Sequence, residues 1–569
     1  MLQAPFSSPR RGSAISTQCP VGISEFGAIT HSFQRERFSN SSKEQTKSSV
    51  EFHQRDSLDE IDEKVNSNLK KLFITENYVS SLDNEIRRVI ANVSKICNKF
   101  IRERYLETCG RNKNPWKIAG KIFPYGSYLL GTHGQNSDID LLLACPKFIT
   151  KTSIFSKLYS YFDRCPDVKD LKKIELAHVP LLKFYMFNIR VDLSYAIFDT
   201  DNIDQNLDVL DDTSIDRMDQ SSLVSFNGVR TTTLITKLVP DMILYRSVVR
   251  LLKMWAKKRI LTGNVFGYFG GINLSLIAAY VCQKTTQKIP SRVILDVFTE
   301  LGQWNWPDPM MINNIKITEN RKSWSPSNDD IMPIITPSYP AINSMKNATR
   351  STLHRIKLEV SRAQKYTQLI VNGEINWETL LAPPHFFSDY KMFIQILFAA
   401  PSKKEFAVWQ SVIELNLNKL TVDLETNDDL NYAILFPHAF PDQEETTTNQ
   451  TESSTQIKNQ NQTQNHAQTD KGYSARFYYA ITYKRAKFLS KRDRTHEDKL
   501  AFIGRIMEDI QAFQNRVQMN EVRKDGMTVA CSLLKREKLP DDVLTQFGSH
   551  TSPQSPISLP VQKYRTHAH

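Results

Sequence analysis

The sequence contains few cysteines and no long apolar run. Its 569 residues include Cys 7, and these cysteines lack the short paired spacing of a disulfide framework or a zinc site. No stretch approaches the roughly 18 apolar residues of a membrane helix, and the N-terminus lacks a secretory signal. We therefore expect a soluble protein of a reducing, intracellular compartment. A mitochondrial presequence, which Arg10 and Arg11 would suit, is interrupted by Glu25 and Glu36.

The sequence also has no excess of acidic residues. Lys+Arg 73 exceed Asp+Glu 61, giving a formal net charge of +12. This balance favours a polyanionic partner, because clustered Lys and Arg release counterions from a phosphate backbone. The hydrophobic fraction of 40% is sufficient for globular folding, and the length suits three domains of roughly 100–200 residues.

The apolar pattern changes along the chain. Residues 1–66 are polar and serine-rich, which predicts a mostly disordered tail. Apolar residues at three- and four-residue steps over 82–100 predict an amphipathic helix. Short apolar strands alternate with a helical stretch at 154–162, which predicts an α/β or α+β domain between about 120 and 200. Helical spacing dominates over 238–283.

A final block begins near Trp377 and carries an apolar run at 392–400, a long helix and further strands. Residues 442–471 are rich in Thr, Asn and Gln and contain almost no aliphatic side chain. Such a composition cannot bury enough surface to fold. We therefore expect a disordered insertion between two strands.

The most informative stretch runs from residue 121 to Asp140. Residues two apart on a strand share a face, so Asp138 and Asp140 project together while Ile139 packs on the other side. Their repulsion favours a hard divalent cation such as Mg²⁺. Asp192, on a second alternating strand, would supply the third carboxylate of a two-metal site. An isolated Asp-x-Asp pair, however, is more often a turn or a cap.

Several other residues are suited to phosphate binding. Gly126 permits close backbone approach, and the Ser127 hydroxyl with nearby amides can hold triphosphate oxygens. Gly270 and Gly271 precede a helical run and would bring helix-start amides near an anion. A basic stripe at helical spacing comprises Arg246, Arg250, Lys253 and Lys257. Such a stripe is usually a solvated face, an interpretation that we keep for Arg246.

Seven segments, in matching order, resemble one family. They are FPYGSYLLGTHG (123–134), VPLLK (179–183), SFNGVR (225–230), LKMWAK (252–257), FGG (269–271), WNWP (304–307) and MPIITP (332–337). The chain resembles the DNA polymerase β-like nucleotidyltransferase superfamily and, within it, the eukaryotic nuclear-type poly(A) polymerases. The resemblance extends from about residue 67 to residue 547.

The resemblance implies an α+β multidomain fold with a polymerase-β-like nucleotidyltransferase palm, a helical middle domain and an RRM-like C-terminal RNA-binding domain. The implied divisions are a tail at 1–66, the palm at 67–214, the middle domain at 215–366, the RNA-binding domain at 367–547 with the insertion 442–471, and a tail at 548–569. An RRM-like sheet could stack bases on Phe477, Tyr478 or Tyr479, although strand alternation places some of these in the core.

The resemblance also implies a reaction, namely template-independent addition of AMP from ATP to RNA 3′ ends with two metal ions, Mg²⁺ or Mn²⁺, as in mRNA polyadenylation in the nucleus. The implied catalytic residues and metal ligands are Asp138, Asp140 and Asp192. The nucleotide-binding positions are these three with Tyr125, Gly126, Ser127, Gly134, Ile139, Asn227, Lys253, Thr262, Gly271 and Ile272. The resemblance implies a monomeric enzyme whose partners are an mRNA precursor and the cleavage and polyadenylation machinery. It implies no association with a membrane.

The sequence departs from the family at two positions. Leu129 stands where relatives carry Arg, and Thr262 stands where they carry a nucleotide-contacting Tyr. Lys258 or Arg259 could supply the missing donor, unless the alignment is simply shifted. We interpret two histidines as structural: His133 shapes the loop before the Asp pair, and His178 occupies a position that is usually aromatic.

Two alternatives remain. A uridylyl- or CCA-adding transferase would share the three carboxylates, but the block at 367–547 argues against it. An inactive RNA-binding scaffold could keep the fold, but it would not need all three carboxylates.

Overall fold

The computed structural model describes residues 48–78, 82–110, 114–175, 177, 179–314, 324–442, 472–483 and 496–547. His178, most of the predicted insertion and most of the two predicted tails lie outside the described residues. None of the helices in the described ranges combines the length and apolarity needed to cross a membrane.

The N-terminal tail prediction is wrong for residues 48–66, which belong to helix α1 at Ser48–Thr75. Within this charged stretch, Val65, Leu69 and Leu72 recur at helical spacing and are buried. The indole N–H of Trp377 donates to the Val65 carbonyl at 3.0 Å. Tertiary packing thus stabilises a helix whose sparse apolar row is easy to overlook. The helix predicted over 82–100 is confirmed as α2, Asp83–Cys109.

The first domain contains a five-stranded sheet and short helices, in keeping with the α/β or α+β domain predicted between about 120 and 200. Its elements are β1 Lys121–Tyr125, α3 Gly126–Leu130, β2 Ile139–Pro146, α4 Lys151–Ser153, α5 Tyr159–Asp163, β3 Val168–Ile174, β4 Leu181–Met186 and β5 Ile189–Phe198. The strand order is β1-β2-β5-β4-β3, with β2 and β5 parallel and the other neighbours antiparallel. One face shares a core with α2. On the other face, Leu142, Ala144 and Ala196 pack with Phe226 in a second core.

Helices dominate the middle of the chain, as predicted. They are α6 Gln220–Leu238, α7 Met242–Lys258, α8 Gly271–Lys284, α9 Pro290–Gln303, α10 Arg350–Val371, α11 Trp377–Leu381 and α12 Phe386–Asp389. The helix α7 buries Val248, Leu252 and Trp255, so its apolar side faces the core and its basic side faces away from it. The predicted helical region breaks between α7 and α8, where Gly263 and Gly267 adopt positive φ.

The last domain has the βαββαβ topology of an RRM-like fold, which confirms that prediction. Its elements are β6 Met392–Ala400, α13 Lys403–Glu425, β7 Leu430–Pro441, β8 Tyr473–Tyr483, α14 His496–Gln518, β9 Thr528–Lys535 and α15 Asp541–Phe547. The strand order is β7-β8-β6-β9. The insertion lies between the paired strands β7 and β8, as predicted, and Ser474 accepts from the Asp442 N–H at 3.0 Å.

Both faces of this sheet are covered. Phe477 and Tyr479 belong to the main core, which also contains residues of α13 and α14, whereas Tyr478 packs with Phe386 and Phe387. These β8 aromatics are at most 1% exposed. None of them is therefore available to stack a base, and the alternative that they pack the sheet is correct.

Candidate active site

The three candidate carboxylates lie on or directly before adjacent strands of the first sheet. Tyr125 of β1 pairs with Asp140 of β2, and Asp140 pairs with Asp192 of β5. Asp138 directly precedes β2, one residue outside the strand where we expected it. Ile139 is only 1% exposed and packs into the core with α2. The fold thus brings together two carboxylates from one segment and one from a segment more than fifty residues later.

The carboxylates raise the pKa values of their neighbours. Burial, followed by the charges of Asp192 and Asp138, raises the pKa of Asp140 to about 7. Burial also raises the pKa of Asp138, against the opposing charge of Arg190. Cations already face two of the three groups, because Asp138 contacts Arg190 at 2.5 Å and Asp192 contacts Lys183 at 2.7 Å. The site therefore concentrates negative charge that positive partners offset.

Gly126 shapes this site through the close backbone approach that we predicted. It begins the short helix α3 with φ +62. A Cβ at this position would lie 2.1 Å from Oδ2 of Asp140. Only glycine allows the backbone this close to the carboxylate.

The donor set fits hard divalent cations, since it presents carboxylate oxygens from neighbouring segments of the sheet. Within the described ranges, no group of three or more His, Cys, Asp or Glu side chains already has the geometry of a metal site. The carboxylates would have to exchange Lys183 and Arg190 for metal ions.

A cavity of about 780 Å³ lies between the sheet and the middle helices. Nine of the thirteen predicted nucleotide-site residues line it: Tyr125, Gly126, Ser127, Asp138, Asp140, Asn227, Lys253, Gly271 and Ile272. Gly134 and Ile139 instead line a separate cavity of about 320 Å³. Asp192 lies beside Asp140 rather than in the lining, and Thr262 lies elsewhere.

Sequence reasoning missed several lining residues. Asn264, Thr336 and Ser344 come from connecting segments, and the Asn264 amide donates to the Ser344 carbonyl at 2.9 Å. Thr232 accepts from the Gly126 N–H at 3.2 Å. These residues carry no periodic signal, because loops and partly buried helix positions meet here only through the fold.

Three residues of the basic stripe of α7 form hydrogen bonds with the segment that ends α3. Arg246 donates to the Leu130 carbonyl at 3.0 Å, and Arg250 donates to the Gly131 carbonyl at 2.7 Å. The Lys253 ammonium lies 3.2 Å from the Thr132 hydroxyl. Cations near a helix C-terminus compensate its exposed carbonyls. The interpretation of Arg246 as a solvated side chain is therefore wrong.

Lys253 also approaches the carboxylates. Burial lowers its pKa to about 8, while the charge of Asp140 acts in the opposite direction and that of Arg250 adds to the lowering. A buried amine this close to Asp140 and to the main cavity is suited to contact anionic oxygens. His133 is buried in the adjoining loop with its ring 5.2 Å from that of Tyr128, and burial lowers its pKa. Leu129 is partly exposed at 36% and lines neither cavity.

Thr262 lines a third cavity of about 700 Å³, which shares Lys253, Gly270 and Gly271 with the main cavity. Thr262 also forms an isolated β-bridge with Phe269. Tyr78, from the segment after α1, lines this third cavity as well. Nothing in the sequence pattern pointed to Tyr78.

The two proposed substitutes for a tyrosine at position 262 differ. Lys258 lines the third cavity but pairs with Glu76 at 2.9 Å. Arg259 forms two hydrogen bonds to Glu359, at 2.7 and 2.8 Å, and Arg355 contacts the same carboxylate at 2.9 Å. Both arginines are nearly fully buried. Arg259 is therefore a structural residue, and its proposed role as a substitute donor is wrong.

An α+β domain that presents paired acidic residues on adjacent strands, beside a cavity closed by a helical domain, defines the class of nucleotidyltransferases. The chain matches three consecutive domains of one family. Residues 56–239 match the poly(A) polymerase nucleotidyltransferase domain, 244–383 the poly(A) polymerase central domain, and 385–552 the poly(A) polymerase predicted RNA binding domain. The chain belongs to the poly(A) polymerase family.

Curated relatives carry the same name. The chain is 31% identical over 387 residues to "Poly(A) polymerase" of Dictyostelium discoideum, covering 67% of this chain and 48% of the relative. It is 33% identical over 329 residues to "Nuclear poly(A) polymerase 1" of Arabidopsis thaliana, covering 57% and 46%. The chain thus spans about half the length of these relatives. Among solved structures, mtPAP in complex with UTP has a TM-score of 0.40 at 14% identity, covering 57% of this chain and 73% of that chain.

Proposed function

We propose that this chain adds AMP from ATP to RNA 3′ ends without a template. The observation that carries the proposal is the strand register that pairs Asp140 with Asp192 beneath Gly126, next to the cavity that Lys253 enters. In this arrangement an RNA 3′-hydroxyl would attack the α-phosphorus of ATP in line, and pyrophosphate would leave.

Asp138, Asp140 and Asp192 would hold two divalent ions, Mg²⁺ or Mn²⁺. When bound, such ions lower the pKa of an attacking hydroxyl and stabilise triphosphate charge. Lys253 would neutralise phosphate oxygens, and the helix-start amides at Gly271 would face the same anion. Asn227 and Ile272 line the same cavity, where they would orient the base.

Three domains would divide this work, with the palm at 67–214, the middle domain at 215–366 and the RNA-binding domain at 367–547. An mRNA precursor is the proposed substrate and the nucleus the proposed location, in keeping with the relative named "Nuclear poly(A) polymerase 1". A monomer working with the cleavage and polyadenylation machinery is proposed from the family resemblance.

The direct test is extension of a labelled RNA primer with each NTP in turn, with Mg²⁺, Mn²⁺ or EDTA. We expect extension with ATP that requires a divalent ion. Preferential use of UTP would favour a uridylyltransferase, and RNA binding without extension would favour an inactive scaffold.

Asp192→Ala provides the matched variant. We expect it to abolish extension while RNA binding and the melting temperature stay near wild type, because the Asp192 side chain is 17% exposed and pairs with Lys183 rather than packing in the core. Near-normal extension by this variant would remove Asp192 from the site.

A further inference from the structure

In the palm sheet, basic side chains stand at the positions of β4 and β3 that continue the rows of the candidate carboxylates. Asp192 of β5 pairs with Lys183 of β4, which pairs with Lys172 of β3. In the neighbouring row, Asp138 contacts Arg190 at 2.5 Å. Arg190 pairs with Tyr185, which pairs with Lys169. Paired residues on neighbouring strands project from the same face, so both rows lie on the face that carries the carboxylates.

A bulge in β3 makes this alignment possible. Lys169 and Lys172 are three residues apart, so regular alternation would place them on opposite faces. The register shifts between them, and Asp170 adopts φ +52. As in other β-bulges, the one extra residue re-aims the strand. Both lysines consequently share the face of Lys183 and Tyr185.

The next lysine along β3 provides a contrast. Lys173 pairs with Leu182, which is buried in the core against α2. Its ammonium lies 4.3 Å from the centre of the Tyr159 ring. Lys173 thus has the same charge and strand as Lys172 but belongs to the opposite face.

We call Lys169, Lys172, Lys183, Tyr185 and Arg190 the lateral basic surface. Lys169, Lys172 and Arg190 are exposed, and Lys183 and Tyr185 are partly exposed. Within the described residues, neither Lys169 nor Lys172 forms an ion pair. Neighbouring strands lie about 4.8 Å apart, so the backbone of Lys172 lies roughly 10 Å from that of Asp192. Positive charge therefore extends sideways from the carboxylates to the open edge of the sheet.

We propose that the lateral basic surface binds the phosphate backbone of the RNA just upstream of its 3′ end. This inference rests on the proposed function, because the lateral basic surface lies beside the RNA 3′ end only if the 3′-hydroxyl reaches Asp192. The sheet of the C-terminal domain does not provide a stacking face, since both of its faces are covered. Lys and Arg contacts to phosphate carry no sequence information, which suits a growing homopolymer.

The test compares Lys169→Gln/Lys172→Gln with Lys173→Gln. Affinity for a short oligoadenylate would be measured by fluorescence anisotropy across 50–200 mM salt, without ATP. Each phosphate contact on a single strand contributes about 0.7 to the slope of log affinity against log salt. We expect the double variant to lose about 1.4 from that slope and to raise the KM for RNA about tenfold, with an unchanged KM for ATP.

Lys173→Gln should bind RNA like wild type, and all variants should keep the wild-type melting temperature. If the double variant matches Lys173→Gln in salt slope and in KM for RNA, the lateral basic surface does not bind RNA. In that case, primer extension by the wild type would still support the proposed function. If the wild type binds RNA through this surface but adds no nucleotide, the proposed function is wrong and the inference that the surface binds RNA is kept. If the wild type does not bind RNA, the surface inference is overturned.

Discussion

Gly126→Ala adds a single atom, Cβ, beside the carboxylate of Asp140 in the candidate site. Two effects combine at this position, because φ is +62 and the new Cβ would lie 2.1 Å from Oδ2 of Asp140. The left-handed backbone costs an L-residue about 1–2 kcal/mol. The contact is also far below ordinary van der Waals separation, so Asp140 or the start of α3 must shift by about 1 Å, a displacement that can cost about 100-fold in rate.

Gly110→Ala separates the two effects. Gly110 has φ +89, but a Cβ there would meet nothing within 4 Å. Both variants should therefore lose stability in thermal denaturation. Only Gly126→Ala should lose about 100-fold in kcat/KM for primer extension with ATP. Activity of Gly126→Ala within threefold of Gly110→Ala would refute the view that Gly126 fixes the position of Asp140.

Thr262→Tyr should lower the KM for ATP with little change in kcat, since a phenol hydroxyl in the third cavity would add uniform binding; an unchanged KM would indicate that Tyr78 or Lys258 already fills this role. Glu359→Gln should destabilise the protein by about 3–5 kcal/mol in urea titrations, because it leaves two buried arginines without their carboxylate. Deleting residues 443–471 should change the melting temperature little, because β7 and β8 already meet at the Asp442–Ser474 hydrogen bond; a large drop would show that the segment contributes to the fold.

The buried Glu359 also predicts a pH dependence. Burial opposes its ionisation, but the hydrogen bonds from Arg259 and the charges of Arg355 and Arg259 outweigh burial and lower its pKa below 4.5. Because the folded pKa is lower than the unfolded value, its contribution to stability is full above about pH 4.5 and is lost as the pH falls. Glu359→Gln should therefore flatten the acid side of the stability profile measured by chemical denaturation. A variant with the wild-type acid profile would contradict this account of the ion cluster.

Local sequence patterns determined much of the fold. Alternation of apolar and polar residues located β2 and β5, and with them the carboxylates Asp140 and Asp192. Helical spacing located α2 and α7, and composition located the insertion between β7 and β8. These features could be predicted because a strand or helix period is set by residues close together in the chain.

Tertiary structure alone decided the remainder. The carbonyl that Arg246 contacts lies more than a hundred residues away, and the carboxylate that holds Arg259 comes from another helix. Tyr78 reaches the third cavity only because α1 packs on the middle helices. The bulge at Asp170 decides on which face Lys169 and Lys172 project. Sequence by itself determined which residue types and periods this protein has, but which side chains meet depends on the packing of distant segments, which no local period encodes.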